Sequence, residues 1–154
     1  MTKIIIRGAI KDDLKAIKSL LDSASLPSGD IDKHLLNFLV LEKSGNLTGA
    51  IGMELYGNTA LLRSLVIQKD YRNKGHRKEL YSALISKAKK MKVIKIYLLT
   101  ESAEGFFSKE GFQRIAREQV PPPIKQTNEY STLCPEDAVC MVKKLNEDES
   151  MNAK

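Results

Sequence analysis

The strongest constraint on the fold of this sequence is a buried strand that leads through a cationic turn into a long helix. Residues 61–67, Leu-Leu-Arg-Ser-Leu-Val-Ile, form an apolar run rich in branched side chains, which predicts a strand buried on both faces. From Leu80 to Ala88, apolar residues recur at helical spacing with Lys and Glu between them, which predicts an amphipathic helix. A turn with one glycine, Gly75, joins the two elements.

The turn, residues 72–77, has the composition of an anion-binding site. It reads Arg-Asn-Lys-Gly-His-Arg and leads directly into the helix. The first turn of a helix presents backbone N–H groups and the positive end of the helix dipole, and Arg72, Lys74 and Arg77 add mobile charge. The turn therefore predicts a phosphate or pyrophosphate site, with a solvated basic helix start as the alternative for so short a motif.

This strand, turn and helix resemble the acetyl-CoA-binding core of the GNAT N-acetyltransferases. In that family the turn follows the pattern Arg/Gln-x-x-Gly-x-Gly/Ala and holds the pyrophosphate of coenzyme A. Arg72 and Gly75 match the pattern, whereas Arg77 stands where the family has Gly or Ala. Arg77 either adds a phosphate contact or crowds the backbone, and the sequence leaves both alternatives open. The resemblance implies an acetyl-CoA cosubstrate held by the backbone of Leu65, Val66 and Ile67 and by the turn residues Arg72, Asn73, Lys74, Gly75, His76 and Arg77.

A second motif that resembles the same family follows the next predicted strand. Residues 103–112 are similar to the element Ala-x-x-x-Tyr-x-x-x-Gly-Phe, with Phe107 at the position where many members place a Tyr as general acid. A phenyl ring cannot donate a proton, so this role is either vacant or filled by water or a hydroxyl such as that of Thr100 or Ser102. The resemblance adds four expected cofactor contacts: Thr100, Ala103, Phe106 and Phe107.

The remaining periodicities predict the element order β-α-(α)-β-β-β-α-β-α-β-β. This order resembles the GNAT acyl-CoA N-acyltransferase fold, an α/β single domain with a mixed sheet, here expected over residues 1–145 and followed by a polar tail at 146–154. Hairpin turns are expected at Gly45–Asn46 and at Gly57–Asn58. We also expect a bend or bulge in the strand that contains Gly49 and Gly52.

Two further expectations concern the C-terminal half. A strand is predicted from Phe112 to Arg117. The segment Val120-Pro121-Pro122-Pro123 is expected to be an ordered connector, because proline fits neither a strand nor a helix interior. A last strand is predicted from Ala138 to Leu145.

Two charged residues, Glu54 and Arg63, stand out because each lies in an apolar strand pattern. A partly buried Glu54 would suit a general base, with a surface charge near a hairpin end as the alternative. Arg63 needs a partner or a cavity, and it can pair with a substrate carboxylate or with Glu54. Together with Thr100, these two residues are the candidate catalytic groups.

The wider pattern resembles a branch of the family associated with arsenic resistance. It includes Tyr56-Gly57, Thr127-x-Glu129-Tyr130 and Leu133-Cys134-Pro135. That resemblance implies a small amino-acid-like acceptor, with an arsenical or phosphinate side chain as one form. The residues implied to line its site are Tyr56, Arg63, Thr127, Glu129 and Cys134.

Charge and composition restrict the other partners. The net charge of +6 invites a nucleic-acid interpretation, but the lysines cluster at the end of the long helix with no aromatic residues between them, so no nucleic-acid partner is predicted. No apolar run approaches the roughly 20 residues of a membrane span. The N-terminus lacks a signal-peptide pattern, which predicts a cytoplasmic location. Cys134 and Cys140 are expected to be free thiols, and no metal site is predicted because His34 and His76 are distant in sequence.

These observations predict an acetyl-CoA-dependent N-acetyltransferase that acts on a small amine. Two alternatives stay open at this point. Phe107 and Arg77 are compatible with an acetyl-CoA-binding sensor of weak or no catalysis, and a protein N-acetyltransferase would share the same fold. A homodimer formed through an edge strand or the C-terminal segment is also compatible with the sequence.

Overall fold

The structure is a computed structural model, and it describes residues 4–127, 130 and 138–145. These residues form seven strands in the order β1-β2-β3-β4-β5-β7-β6 within one sheet. The strands are β1 (Ile4–Gly8), β2 (Phe38–Lys43), β3 (Asn46–Tyr56), β4 (Thr59–Ile67), β5 (Lys95–Thr100), β6 (Gln113–Ile115) and β7 (Val139–Lys144). The helices are α1 (Leu14–Ser23), α2 (Ile31–His34), α3 (His76–Lys90), α4 (Glu104–Lys109) and α5 (Pro122–Lys125). The mixed α/β class is confirmed, and so is the predicted order of elements, apart from α5, which the prediction lacked between the last two strands.

The described residues divide into two compact units. The first comprises those of Met1–Glu54 and Leu62–Lys87. In this unit β1 and β2 pair antiparallel, and β2 pairs antiparallel with β3. One apolar cluster joins α1 and α2 to β2, β3 and the end of β4, and its fully or almost fully buried members are Ile17, Leu21, Ile31, Phe38, Val40, Ala50 and Val66. The helical periodicity of α3 is also confirmed, since Leu80 and Leu84 are completely buried.

Strand β3 of the first unit is irregular near its glycines, as the sequence predicted. The register with β2 shifts between Leu41 and Glu42, so that one residue of β3, Thr48, is extra in the ladder. The β2–β3 turn, however, lies at Ser44–Gly45 rather than at the predicted Gly45–Asn46. Ser44 and Gly45 both have positive φ, of 54° and 81°, which suits the primed turns that connect hairpins.

The second unit comprises the described residues of Leu55–Leu61 and Ala88–Lys154. The start of β4 runs parallel to β5, with Thr59 opposite Lys95, as the sequence predicted. Strand β7 pairs antiparallel with both β5 and β6. The core cluster of this unit consists of Leu61, Tyr97, Leu99, Val120, Ile124 and Cys140. The turn predicted at Gly57–Asn58 is confirmed, since Gly57 has a φ of +64°.

Two expectations for the second unit were wrong in detail. Strand β6 ends at Ile115, before the predicted Arg117, and a 3-10 turn at Arg117–Gln119 follows it. The proline segment does not stay a connector, because Pro122 begins the short helix α5. Proline is tolerated in the first turn of a helix, where its missing N–H would have no intrahelical acceptor.

Within the described residues, no helix has the length and apolar content that crossing a membrane would require.

Candidate functional site

The loop between β4 and α3 lies in the first unit and carries the predicted anion-binding motif. Asn73 and Gly75 adopt left-handed conformations, with φ of 65° and 83°, and α3 begins at the next residue, His76. A Cβ built on Gly75 would have no atom within 4 Å, so the conformation rather than space favours glycine there. Left-handed residues before a helix turn successive backbone N–H groups toward one side, which makes an anion-binding concavity.

The cationic side chains of the motif at residues 72–77 are exposed, whereas its histidine is buried. Arg72, Lys74 and Arg77 are all exposed, and Nε of Arg72 donates to the carbonyl oxygen of Ile67 at 2.9 Å. Arg72 therefore ties the loop to the end of β4. His76 is only 4% exposed, and its Nδ1 lies 2.9 Å from Oε1 of Glu79. The motif thus combines exposed cationic side chains with a buried histidine at the start of the helix.

The end of β4 is distorted at Ser64, which sequence reasoning did not single out. Ser64 has a φ of +63° and is almost completely buried. A left-handed conformation costs a residue with a Cβ about 1–2 kcal/mol, so the surrounding contacts must hold it. The side chains of Val66 and Ile67 beyond it are buried in the first unit, while Leu65 is half-buried. No glycine marks this distortion, so it could not be predicted from the sequence pattern.

The two charged residues predicted in apolar strands form an ion pair. Nη1 of Arg63 donates to Oε2 of Glu54 at 2.7 Å, and both residues are about 1% exposed. This is one of the two partners that the sequence allowed for Arg63. The same Nη1 atom also donates to Oδ2 of Asp30 at 2.8 Å. Glu54 is therefore a buried carboxylate in β3 and not a surface charge.

Two half-buried members of this network, Asp30 and His34, were missed by sequence reasoning. Asp30 directly precedes α2, and Nε2 of His34 lies 3.5 Å from Oε1 of Glu54 and 3.9 Å from Oδ2 of Asp30. Burial is the largest single influence on Asp30 and opposes its ionisation, but the hydrogen bond and the charge of Arg63, with smaller contributions from the backbone and His34, together lower the pKa of Asp30. Neither residue lies in a recognisable motif, because a short helix and its preceding loop bring them to the strands.

The formal charges of this network do not cancel. With a neutral imidazole, the two carboxylates and one guanidinium leave one excess negative charge. Oδ1 of Asp30 is buried and has no hydrogen-bond partner among the described residues. Potential ligand atoms of Asp30, His34 and Glu54 lie within 4.8 Å of one another. Because Arg63 already bonds both carboxylates, a metal ion would face a buried guanidinium, so the donor set fits an ion-pair network better.

The expected cofactor residues of the second unit lie around the end of β5. Oγ1 of Thr100 accepts a hydrogen bond from the backbone N–H of Ala103 at 2.9 Å, just before α4 begins. Phe107 is buried, and its ring makes edge contacts with Phe106 at 5.1 Å and with Phe112 at 5.4 Å between centroids. Phe107 is therefore a packing residue of this helix, in line with the absence of a hydroxyl group.

Two of the expected substrate residues, Tyr56 and Thr127, are also in the second unit. Tyr56 is half-buried and packs against the core cluster of that unit. Thr127 is buried, and its hydroxyl donates to the carbonyl oxygen of Ile124 at 2.7 Å and accepts from the N–H of Tyr130 at 3.0 Å. These bonds give Thr127 a role in the local turn. Glu129 lies outside the described residues.

Cys140 is the cysteine that the structure describes. Cys134 lies outside the described residues. Cys140 is buried in β7, as expected for a structural thiol, and burial raises the pKa of its thiol group.

Comparison with known proteins identifies the family. The sequence profile of the family described as "Acetyltransferase (GNAT) domain" matches residues 34–114, just over half of the chain. The chain therefore belongs to the GNAT family and is an N-acetyltransferase of that class. The match spans β2 to β6, so it includes both Glu54 and the β4–α3 loop.

Two curated relatives agree with this class. The chain is 29% identical over 121 residues to an uncharacterized N-acetyltransferase of Chlorobaculum tepidum, which covers 75% of this chain and 76% of the relative. It is 22% identical over 93 residues to an amino-acid acetyltransferase of Neisseria meningitidis, which covers 59% of this chain. That match covers only 21% of the Neisseria protein, so this chain corresponds to a small part of it.

A solved structure supports the fold. N-acetylglutamate synthase from Neisseria gonorrhoeae, complexed with coenzyme A and N-acetyl-glutamate, is similar with a TM-score of 0.82 and 20% sequence identity. The alignment covers 94% of this chain and 36% of that protein. The predicted GNAT fold is thereby confirmed.

Proposed function

We propose that this N-acetyltransferase moves the acetyl group of acetyl-CoA to the amine of a small amino-acid-like molecule. The observation that carries the proposal is the β4–α3 loop, in which two left-handed residues, Asn73 and Gly75, precede a helix of 15 residues. Such a loop suits the pyrophosphate of coenzyme A, since backbone N–H groups, the helix dipole and mobile cations all favour an anion.

Both the backbone and the side chains of this loop are proposed to bind the cofactor. Gly75 and Asn73 supply the backbone shape, while Lys74 and Arg77 supply exposed charge. Arg77 is exposed, which favours a phosphate contact over crowding of the backbone. The backbone of Leu65, Val66 and Ile67 is assigned to the pantetheine arm. Thr100, Ala103, Phe106 and Phe107 of the second unit remain predictions as further cofactor contacts.

Glu54 is the proposed general base. In the reaction the amine nitrogen loses a proton and bonds to the acetyl carbon, while the carbon–sulfur bond breaks and coenzyme A leaves as a thiol. Oε2 of Glu54 is held by Arg63, and Oε1 faces His34. His34 is 22% exposed at its side chain against 2% for Glu54, so it offers the accepted proton a route toward solvent.

The acid that protonates the thiolate is assigned to Thr100 or to water. Phe107 occupies the position of the Tyr that would otherwise do so, and its ring packs edge-on against Phe106 and Phe112. The Thr100 hydroxyl accepts a hydrogen bond from Ala103, which leaves its own proton available for donation. Orientation of the amine against the thioester can supply much of the acceleration even with water as the acid.

The acceptor class is supported by the relatives and by the resemblance to the arsenic-resistance branch. The Neisseria relative is an amino-acid acetyltransferase, and the similar Neisseria structure contains N-acetyl-glutamate. Tyr56, Arg63, Thr127 and Glu129 stay predictions as acceptor contacts. An acceptor carboxylate at Arg63 would compete with Glu54 and Asp30, which already bond its guanidinium.

The experiment that tests this function combines binding and turnover. Calorimetric titration with acetyl-CoA comes first, followed by a thiol-release screen over amino acids, their phosphinate and arsenical analogues, and short peptides. We expect binding and turnover on an amino acid or analogue. Turnover on peptides alone would favour a protein N-acetyltransferase, and no binding of acetyl-CoA would refute the assignment of the loop.

A further inference from the structure

Arg63 has more partners than a residue waiting for a substrate carboxylate would need. Its side chain is 0% exposed. Besides the bonds of Nη1 to Glu54 and Asp30, Nη2 donates to the carbonyl oxygen of Pro27 at 3.3 Å, and Nε donates to Oγ of Ser64 at 2.9 Å. Every nitrogen of the guanidinium is thus engaged. Because the side chain is fully buried, a substrate carboxylate could reach it only if the groups around it moved.

The bond to Ser64 connects Arg63 to the distortion in β4. Ser64 holds a φ of +63°, a conformation that a residue with a Cβ keeps only when its surroundings fix it. The hydrogen bond from Nε fixes the Ser64 hydroxyl, and the two carboxylates and Pro27 fix the guanidinium in turn. A left-handed residue within a strand rotates the peptides that follow it away from the regular ladder. The peptides that follow are those of Leu65 to Ile67.

The two carboxylates explain why the donor at this position is an arginine. A buried guanidinium requires counter-charge, and Glu54 and Asp30 supply it. Only the planar fork of arginine can bond two carboxylates with one nitrogen and the Ser64 hydroxyl with another. A lysine would keep the charge but would offer a single nitrogen, so it would lose at least one of these directions.

We propose that Arg63 is a positioning residue that holds the cofactor-binding end of β4 in shape through Ser64, while it orients Glu54 with its other side. This inference rests on the proposed function, in which the backbone of 65–67 receives the pantetheine arm. In this role Arg63 supports cofactor binding and orients Glu54. It does not recognise the acceptor carboxylate.

The test is a rescue experiment with coenzyme A as the probe. Arg63→Lys keeps the positive charge but loses the Nε donor, and we expect the Kd for coenzyme A to rise about tenfold, as for the loss of one hydrogen bond that orders a binding segment. Adding Ser64→Gly to this variant should recover much of the affinity, because glycine adopts a φ near +63° without support. General destabilisation by Arg63→Lys would not be rescued in this way.

A matched control and a second variant complete the design. Arg7 is also held by two carboxylates, with Nη1 at 2.8 Å from Asp13 and Nε at 2.6 Å from Glu42, so Arg7→Lys should lower stability and leave the Kd for coenzyme A unchanged. Should Arg63→Lys fail to fold, Ser64→Ala and Ser64→Gly are compared directly. We expect Ser64→Ala to bind coenzyme A more weakly than Ser64→Gly.

The outcomes separate this inference from the proposed function. If the unchanged protein does not bind coenzyme A, the proposed function fails. If it binds but the Arg63→Lys variant binds equally well, or if Ser64→Gly restores nothing, the positioning role is overturned. The role is equally overturned if Arg63→Lys raises only the KM of the amine identified in the turnover screen and leaves the Kd for coenzyme A unchanged.

Discussion

Nε2 of His34 lies 3.5 Å from Oε1 of Glu54, so an imidazole on a short helix faces a carboxylate in the adjacent sheet of the same unit. The other oxygen of Glu54 is held by Arg63. Each carboxylate oxygen therefore has its own neighbour, one permanently charged and one able to take up a proton. This arrangement supports the proposal that Glu54 is the general base.

Glu54→Gln is expected to reduce kcat by at least about 100-fold, the usual contribution of a general base. The amide keeps the size of the side chain and an oxygen for Arg63, but it cannot accept a proton. The measurement is the initial rate of thiol release with the amine identified in the screen. Glu42→Gln is the matched control, since Glu42 is also a strand carboxylate that pairs with an arginine, and its kcat should stay within about twofold of the unchanged enzyme. A Glu54→Gln enzyme with unaltered kcat would remove Glu54 from catalysis.

How much of this molecule could be predicted from sequence depended on whether a feature is local. The β4–α3 loop is a contiguous motif whose glycine and charges can be recognised directly, and Glu54 and Arg63 stood out because charge in an apolar strand needs a partner. Asp30 and His34 gave no such signal. They precede or occupy a helix of four residues, and only the packing of α2 brings them to Glu54.

The backbone conformation of Ser64 also could not be predicted from the sequence, because it depends on tertiary contacts. Glycine usually marks a left-handed residue, but here a serine held by a neighbouring guanidinium adopts that conformation. The error in the β2–β3 turn has a related cause, since Ser44 shares the left-handed conformation with Gly45. Tertiary contacts or turn geometry overrode the residue preference in both cases.

Gly52→Ala is expected to destabilise the fold by about 1–3 kcal/mol, the usual cost of overpacking a core. A Cβ on Gly52 would lie 2.4 Å from the ring of Phe38, which is itself completely buried and cannot move aside easily. Urea unfolding gives the free energy. Gly8→Ala serves as the control, because a Cβ there has no atom within 4 Å, and its effect should stay within about 0.5 kcal/mol. Equal stability of the two variants would show that the ring of Phe38 can move to accommodate the added methyl group.

Asp13→Asn is expected to lower stability at neutral pH and to have a smaller effect in acid. The hydrogen bond from Arg7 lowers the pKa of Asp13 against the opposing effect of burial. Because the pKa of Asp13 is lower in the folded state, its contribution is complete above its unfolded pKa of about 4 and is lost as the pH falls through the folded value. Urea unfolding at pH 7 and near pH 2–3 measures the difference, with the exposed neighbour Asp12→Asn as control. A destabilisation by Asp13→Asn that is equal at both pH values would contradict this role for the Arg7–Asp13 pair.

Gly75→Asp and Gly75→Asn form a pair of variants that isolates charge in the proposed cofactor loop. Both side chains have nearly the same shape, both tolerate the φ of +83°, and a Cβ at this position has open space, so the two should fold alike. The carboxylate would repel a bound pyrophosphate, and we expect Gly75→Asp to weaken coenzyme A at least about tenfold more than Gly75→Asn, since a like charge within a few ångströms costs over 1 kcal/mol. Calorimetry gives both Kd values. Gly45 has a φ of +81° and equally open space, so Gly45→Asp and Gly45→Asn control for an added charge at a glycine turn and should bind coenzyme A equally. Equal affinities of the two Gly75 variants would mean that the pyrophosphate does not lie at this loop.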